Sequence, residues 1–215
     1  MSELMNVVFA DPYLDSLASA YVQRHFPQAR IWSLERDALG SFDTAELEAE
    51  LSGKPCLLFA GPGFAGRLRI DIFSRLLRAG LKLLPVIFDA AMCAPETVVG
   101  VGSLIYPNSI VDSGVTIGYN TLIGPNAIIE AGCSIGNHCF IGANTILRTG
   151  TRVDNFVYLA EGCDVGGPSG FKADEPARLK IERGVIVMDA TRIRESLSSS
   201  VMIDAAVGDV IRVFR

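Results

Sequence analysis

IGNHCFIGANTILRTGTRVDNFVYLAEG, residues 135–162, carries an aliphatic side chain at every sixth place: Ile135, Ile141, Leu147, Val153 and Leu159. Four places after each stands a small one: Cys139, Thr145, Thr151, Val157 and Cys163. Working outward, the same rhythm runs without a gap from Val99 to Val165, twelve hexads in register. The second position is never bulky, reading Ser103, Ser109, Val115, Thr121, Ala127 and Cys133 before the quoted stretch. Self-similarity at a fixed short period marks a solenoid, and a period of six predicts a β-helix with three hexads per triangular coil, about four coils in all. Both columns of side chains then point into the prism. Glycine directly follows the aliphatic residue at Gly100, Gly118, Gly124, Gly136, Gly142 and Gly166, where the reading expects a tight turn needing a backbone without Cβ.

The rhythm breaks at FKADEPARLK, residues 171–180, and resumes ten residues out of phase as Ile181 with Val185, Val187 with Thr191, and Ile193 with Leu197. That predicts a loop thrown out of the prism, one further coil, and a β-rich tail beyond Ser198 that caps its end.

Ahead of the repeats the grammar differs. NVVFA, ARIWSL, CLLFA and LKLLPVIF alternate with helical patterns in YLDSLASAYVQRHF, TAELEAELS and GRLRIDIFSRLLRAG. Strands alternating with helices predict a small parallel sheet, a Rossmann-like α/β domain over 1–92, followed by the β-helix over 93–215 with repeats at 99–170. In the last helix Leu68, Ile72, Phe73, Leu76 and Leu77 form the apolar stripe, Arg67, Arg75 and Arg78 lie elsewhere, and Gly80 is the stop.

Bulk properties exclude several classes. A chain of 215 residues, 49% hydrophobic and 20% charged, has the apolar side chains for a core. Its net charge of −5, with no run of Lys and Arg, gives no footprint for nucleic acid or an anionic membrane. The start MSELMNVVFADPYLD does not read as a signal peptide, and no segment approaches a membrane span. A cytoplasmic location with five reduced cysteines is expected. Cys133, Cys139 and Cys163 occupy the small inward position and read as core. A γ-carbonic-anhydrase-like zinc site needs three imidazoles, and the repeats hold one, so no metal is expected.

An α/β half followed by hexads, with VDNFVY and LAEGCDVGG as the counterparts of the motifs I-G-[DE]-F-x-H and I-A-P-G, resembles the sugar acetyltransferases of the sialic-acid O-acetyltransferase and bacillosamine N-acetyltransferase type. The resemblance covers the chain to about residue 170. It implies a left-handed parallel β-helix, a homotrimer, a nucleotide sugar held by the N-terminal half, and acetyl-CoA or another acyl-CoA as cosubstrate lying between prisms. Laid residue by residue, the preceding motif I-x-H-[DE]-C-x falls on LRTGTR. The family's catalytic base then falls on Thr149, its acidic partner on Gly150, and the histidine that contacts the acyl group on Tyr158. Threonine cannot replace imidazole as a base, whereas Tyr158 can still donate a hydrogen bond to a carbonyl oxygen. The implied cofactor contacts are Ala160, Gly166, Gly167, Phe171 and Lys172, at the third motif and the loop.

His138, in IGNHCF, is eighteen residues before Phe156 and should stack one coil below it, on the side of Tyr158. It is either the displaced base or a surface histidine. Asp154 and Glu161 are outward carboxylates that could accept a proton or simply be solvated. GPGFAG, residues 61–66, follows a strand and opens a helix, so Gly61 and Gly63 fit a phosphate-binding turn, a dinucleotide turn or a plain sharp turn. The first strand is followed by ADPYLD, where the family has its glycine-rich substrate turn; Asp11 stands there, and with Asp15 it repels a diphosphate. The chain is thus expected to acylate an amino or hydroxyl group of a nucleotide-linked sugar, or to be a noncatalytic trimeric relative. Outward Phe140, Ile146, Phe156 and Tyr158 are the expected trimer contacts.

Overall fold

The computed structural model describes residues 4–10, 16–35, 42–61, 67–167, 179–188 and 190–204, and the backbone of 209–212. The chain divides into two compact units, Met1–Val86 and Ile87–Arg215.

In the first unit, β1 (Asn6–Ala10), α1 (Ser16–His25), β2 (Arg30–Leu34), α2 (Ala45–Leu51), β3 (Pro55–Ala60), α3 (Arg67–Arg78) and β4 (Lys82–Leu83) follow one another. The strands form a parallel sheet in the order β2-β1-β3-β4. Alternate residues of a strand face opposite ways. Val8, Ala10, Leu58 and Ala60 pack on Leu47 and Leu51 of α2 and on Ile72, Phe73 and Leu76 of α3. Val7, Phe9, Leu57 and Phe59 are buried on the other face, with the rings of Phe9 and Phe59 stacked at 5.2 Å. Gly80 ends α3 as expected. Its φ is +83°, its N–H donates to the Leu77 carbonyl, and the Leu81 N–H donates to the Leu76 carbonyl, the paired bonds that close a helix on a left-handed glycine. Leu77 is 48% exposed rather than part of the apolar stripe, and Arg69 is buried instead.

LKLLPVIF is not one strand. Lys82–Leu83 completes the first sheet, while Val86–Ile87 joins the eight-stranded sheet beside Leu104–Ile105. Met92–Cys93 likewise pairs with Ile110–Val111, so the six-residue rhythm starts two hexads before Val99. Bulky Phe88 and half-buried Cys93 hide this beginning in the sequence.

The second unit is a stack of coils with three walls. The first wall holds Val98–Val99, Thr116–Ile117, Ser134–Ile135, Arg152–Val153 and Lys180–Ile181. The second runs through Leu104–Ile105, Leu122–Ile123, Phe140–Ile141, Tyr158–Leu159 and Ile186–Val187, and the third through Ile110–Val111, Ile128–Ile129, Ile146–Leu147, Asp164–Val165 and Arg192–Ile193. Every pairing is parallel, and residues eighteen apart face each other, as Leu122 faces Phe140. Parallel sheets stacked in this repeat fit a left-handed β-helix. The aliphatic column is buried from Ile105 through Ile193 in one continuous core. Between Val153 and Ile181 the spacing is eighteen plus ten, with the extra residues between Gly167 and Leu179. The tail does not leave the stack at once. Val201–Asp204 adds a parallel rung to the second wall, and Asp209–Arg212 pairs with it antiparallel.

The small inward column also carries hydrogen bonds. Ser103 Oγ donates to the Gly118 carbonyl at 2.7 Å and accepts the Thr121 N–H at 2.9 Å; Thr121 Oγ1 donates to the Gly136 carbonyl and accepts the Cys139 N–H. Buried backbone groups at this corner are thereby satisfied. The Cys139 thiol donates to the Asp154 carbonyl, and burial pushes its pKa up to about 12. Cys133 and Cys163 are fully buried too, as their positions in the rhythm imply.

The glycine expectation needs correcting. Gly100, Gly118, Gly124, Gly136 and Gly142 do not have positive φ. A Cβ there would strike the neighbouring coil, at Gly142 lying 2.5 Å from the Ala160 carbonyl carbon. The left-handed residues stand three places after each aliphatic one: Gly102, Asn108, Gly114, Asn120, Asn126, Gly132, His138, Asn144, Gly150, Phe156, Gly162 and Gly184. Glycine and asparagine tolerate that region; His138 and Phe156 are the exceptions, in consecutive coils of one corner.

Candidate functional site

The expected catalytic and acyl-CoA residues that the structure describes fall on different parts of the second unit. His138 opens the second wall, at its corner with the first, and Tyr158 lies on that wall one coil later. Thr149, Gly166 and Gly167 share the corner between the third and first walls, with Gly166 stacked over Arg148 and Gly167 following over Thr149. Ala160 is buried at the remaining corner, where its carbonyl accepts the Thr145 hydroxyl. A single chain therefore brings His138 near Tyr158 and Thr149 near the two glycines, without joining the pairs. Phe171 and Lys172 lie outside the described residues, as do Gly63 and Asp11.

His138 is packed as the spacing predicts. Its ring stacks on Phe156 at 5.0 Å with 14° between planes, and Tyr119 meets it edge-on at 5.0 Å. The Arg183 guanidinium covers the Phe156 ring at 4.8 Å. This column holds two side chains in left-handed backbone that asparagine or glycine would enter more easily. Phe156 therefore sits at a corner, not on a flat wall. The Asn120 amide nitrogen contacts His138 Nδ1 at 2.8 Å. With the amide nitrogen as the donor, Nδ1 accepts and the neutral ring keeps its proton on Nε2. At Nε2 the histidine then offers a donor. To take a proton there, the ring would have to exchange tautomers as the Asn120 amide turns its oxygen inward.

Tyr158 stacks on Phe140 at 4.7 Å, and Phe140 is already buried within one chain. Burial, and then the negative charge of Glu161, raise the Tyr158 pKa, so the phenol stays protonated as a donor. Asp154 is in an ion pair with Lys180 at 3.1 Å, and Glu161 is exposed.

The corner that holds Thr149 contains groups the sequence does not announce. Arg148 donates Nε and Nη2 to the two oxygens of Asp164, at 2.9 and 3.2 Å, and Nη1 to Glu130 Oε1 at 3.3 Å. Arg194 donates to Asp164 Oδ2 at 2.6 Å and to the Asp164 and Gly166 carbonyls. Glu130 Oε2 in turn accepts the Thr149 N–H at 2.8 Å and its hydroxyl at 2.9 Å. The signal was available: one coil is eighteen residues, which sets Glu130 below Arg148 and beside Thr149. Hydrogen bonds from Arg148 first, and from Arg194, hold the Asp164 carboxyl well below the usual carboxylate range. A depressed folded pKa contributes stability above the unfolded value of about 4, and that stability is lost as pH falls below it. Asp164→Asn should lower stability at pH 7 by about 1–2 kcal/mol, after allowance for its partly solvated partners, and the difference should shrink by pH 3. Urea midpoints at the two pH values measure this; a constant difference would count against the ion pair.

In the first unit, Ala10 and Ala60 are register partners, so β1 and β3 end side by side, with Gly61 next. In open parallel sheets ligands bind outside such carboxyl ends, where strand order reverses. Arg69, buried in α3, donates Nη1 to the Ala60 carbonyl at 2.8 Å and puts a positive charge at this edge.

Residues 114–149 match the bacterial transferase hexapeptide (six repeats) family. No curated protein matches the sequence. Among solved structures, PerB from Caulobacter crescentus in complex with CoA and GDP-perosamine is similar at 20% identity and TM-score 0.73, over 92% of each chain. WeeI from Acinetobacter baumannii AYE is similar at 16% identity and TM-score 0.72, over 96% of this chain and 100% of its own. The acetyltransferase domain of PglB from Neisseria gonorrhoeae FA1090, in complex with acetyl coenzyme A, reaches TM-score 0.54 at 17% identity, over 93% and 96%. At these identities the likeness shows the fold. No helix among the described residues is long and apolar enough to cross a membrane, and no three His, Cys, Asp or Glu side chains among them gather as metal ligands would.

Proposed function

We propose that the protein is an acyl-CoA-dependent transferase that acylates an amino or hydroxyl group of a nucleotide-linked sugar. One observation carries this reading: the structural likeness runs through both units, over 92% of the chain, to a protein crystallised with CoA and a nucleotide sugar. The first unit is then a Rossmann-like domain that holds the nucleotide sugar at the ends of β1 and β3, its diphosphate at Gly61 and Gly63 and its hydroxyls, which can donate to a carboxylate, at Asp11. The second unit, as a cytoplasmic homotrimer, takes acetyl-CoA or another acyl-CoA along Ala160, Gly166, Gly167, Phe171 and Lys172. His138 Nε2–H and the Tyr158 phenol are donors suited to the oxygen of a thioester carbonyl as it becomes an oxyanion.

A second reading, a noncatalytic trimeric binding protein, is favoured by the Asn120 contact that occupies His138 Nδ1. Calorimetric titration with CoA and acetyl-CoA, on protein whose mass is read by light scattering, tests both. Three chains per particle and micromolar to millimolar CoA binding are expected. No binding at millimolar CoA removes the transferase reading, and binding without transfer to any nucleotide-linked amino sugar leaves the second.

A further inference from the structure

Thr149 is an exposed hydroxyl whose proton is held by a carboxylate from another coil. Thr44 and Glu48 make a similar contact, but only four residues apart, at the start of one helix. At Thr149 the arrangement serves no helix. Glu130 Oε2 accepts both the N–H and the hydroxyl of Thr149, which fixes the side-chain rotamer. Glu130 Oε1 is held by Arg148, and Arg148 by Asp164, so the carboxylate cannot swing away without breaking a three-member chain of charges. Above Thr149 the next coil presents Gly167, which has no side chain to cover the hydroxyl, and Gly150 follows it in left-handed backbone. Among the described residues the oxygen is therefore oriented on one side by Glu130 and exposed on the other. A hydroxyl oriented by a fixed acceptor behind it is the general arrangement by which a weak group is made to take part in proton transfer.

Resting on the transferase reading above, we propose that Thr149 relays the proton removed from the acyl acceptor, with Glu130 as the positioning residue that receives it. The acceptor oxygen or nitrogen bonds to the carbonyl carbon of the acyl thioester while its proton moves to Thr149 Oγ1 and the Thr149 proton moves to Glu130 Oε2. The tetrahedral adduct then collapses with cleavage of the carbon–sulfur bond. The proton on Glu130 returns through Thr149 to the departing sulfur, giving acylated product, free CoA thiol and the original carboxylate. No other reactant is needed.

The test is steady-state transfer from acetyl-CoA to a panel of nucleotide-linked amino sugars by full-length wild type, Glu130→Gln, Thr149→Val, Thr149→Ser and His138→Asn. Melting temperature and CoA affinity are measured on each. Glu130→Gln and Thr149→Val should each lower kcat about 100-fold with KM for acetyl-CoA within a few-fold. Thr149→Ser should recover most of the turnover, and the double variant should be no worse than either single one, because the two act as a unit. The loss of kcat in Glu130→Gln, with KM, CoA affinity and melting temperature held, should appear in the His138→Asn background as well, which a structural role for the carboxylate does not produce. Undiminished kcat in folded Glu130→Gln or Thr149→Val overturns the relay while leaving the transferase reading intact. An acyl group found covalently on Thr149 by mass spectrometry also overturns it, since the threonine would then be a nucleophile. Wild type that neither binds CoA nor transfers an acyl group overturns both.

Discussion

Replacing Gly142 by alanine should destabilise the protein by about 3–4 kcal/mol, or prevent folding, although alanine adds one methyl group. The added carbon would lie 2.5 Å from both the Ala160 carbonyl carbon and the Glu161 nitrogen. Both are backbone atoms of the next coil, so no rotamer change gives way, and relief means prying apart the bonds by which Gly142 N–H reaches the Leu159 carbonyl and its neighbours. Gly132→Ala is the control. It has φ +67° and nothing within 4 Å of an added Cβ, so only the left-handed conformation opposes it, at about 1–2 kcal/mol. Urea denaturation of the two variants separates the causes. Equal losses would falsify the close approach of coils as the reason for glycine after the aliphatic residue.

The second large effect is expected in the aliphatic column. Ile141 is fully buried, between Ile123 below and Leu159 above on the same wall. Truncation to alanine removes three carbons from a place that two fixed rungs keep open, and large-to-small changes at such sites cost about 2–5 kcal/mol, with incomplete collapse at the upper end. A value near 4 kcal/mol is expected. Ile193→Ala, close to the top of the third wall, should cost less, because each coil contacts only its neighbours and an end can loosen by itself. Native-state hydrogen exchange shows whether the Ile193 change is felt only in the upper coils. If protection falls equally at Leu104 and at Ile193, the coils are not independent.

Both arguments show what the sequence made legible. A residue pointing into the prism sees one environment in every coil, so the columns at Ile105, Ile123 and Ile141 and at Ser103, Thr121 and Cys139 repeat by type and can be read directly. The positions of β1 and β3 follow from continuous burial, which leaves an unbroken apolar run, and that of α3 from its apolar stripe. The corners repeat just as strictly, yet their glycines were assigned the wrong task. Glycine one place after the aliphatic residue answers to the neighbouring coil, which a single-chain pattern does not display. The left-handed turn is announced by the asparagines at 108, 120, 126 and 144. His138 and Phe156 interrupt that series, and their mutual stacking was predictable from the eighteen-residue separation. The partner of Thr149 was not, because nothing local distinguishes Glu130 from a solvated charge until Arg148 and Asp164 are seen to immobilise it. The beginning of the prism escaped notice because Met92 and Cys93 are poor substitutes for a β-branched pair.

The eighteen-residue offset between rungs also bears on how the second unit assembles. Parallel strands usually wait for distant segments to meet, and closing long loops slows them. Here each new rung closes nearly the same short interval whatever the number already formed, eighteen residues through most of the stack and slightly fewer in the last coil, except across the ten-residue insertion after Gly167. Folding can nucleate at any pair of coils and zip in both directions, so this stack of parallel rungs should form faster than its strand count suggests, pausing only where the insertion lengthens the gap.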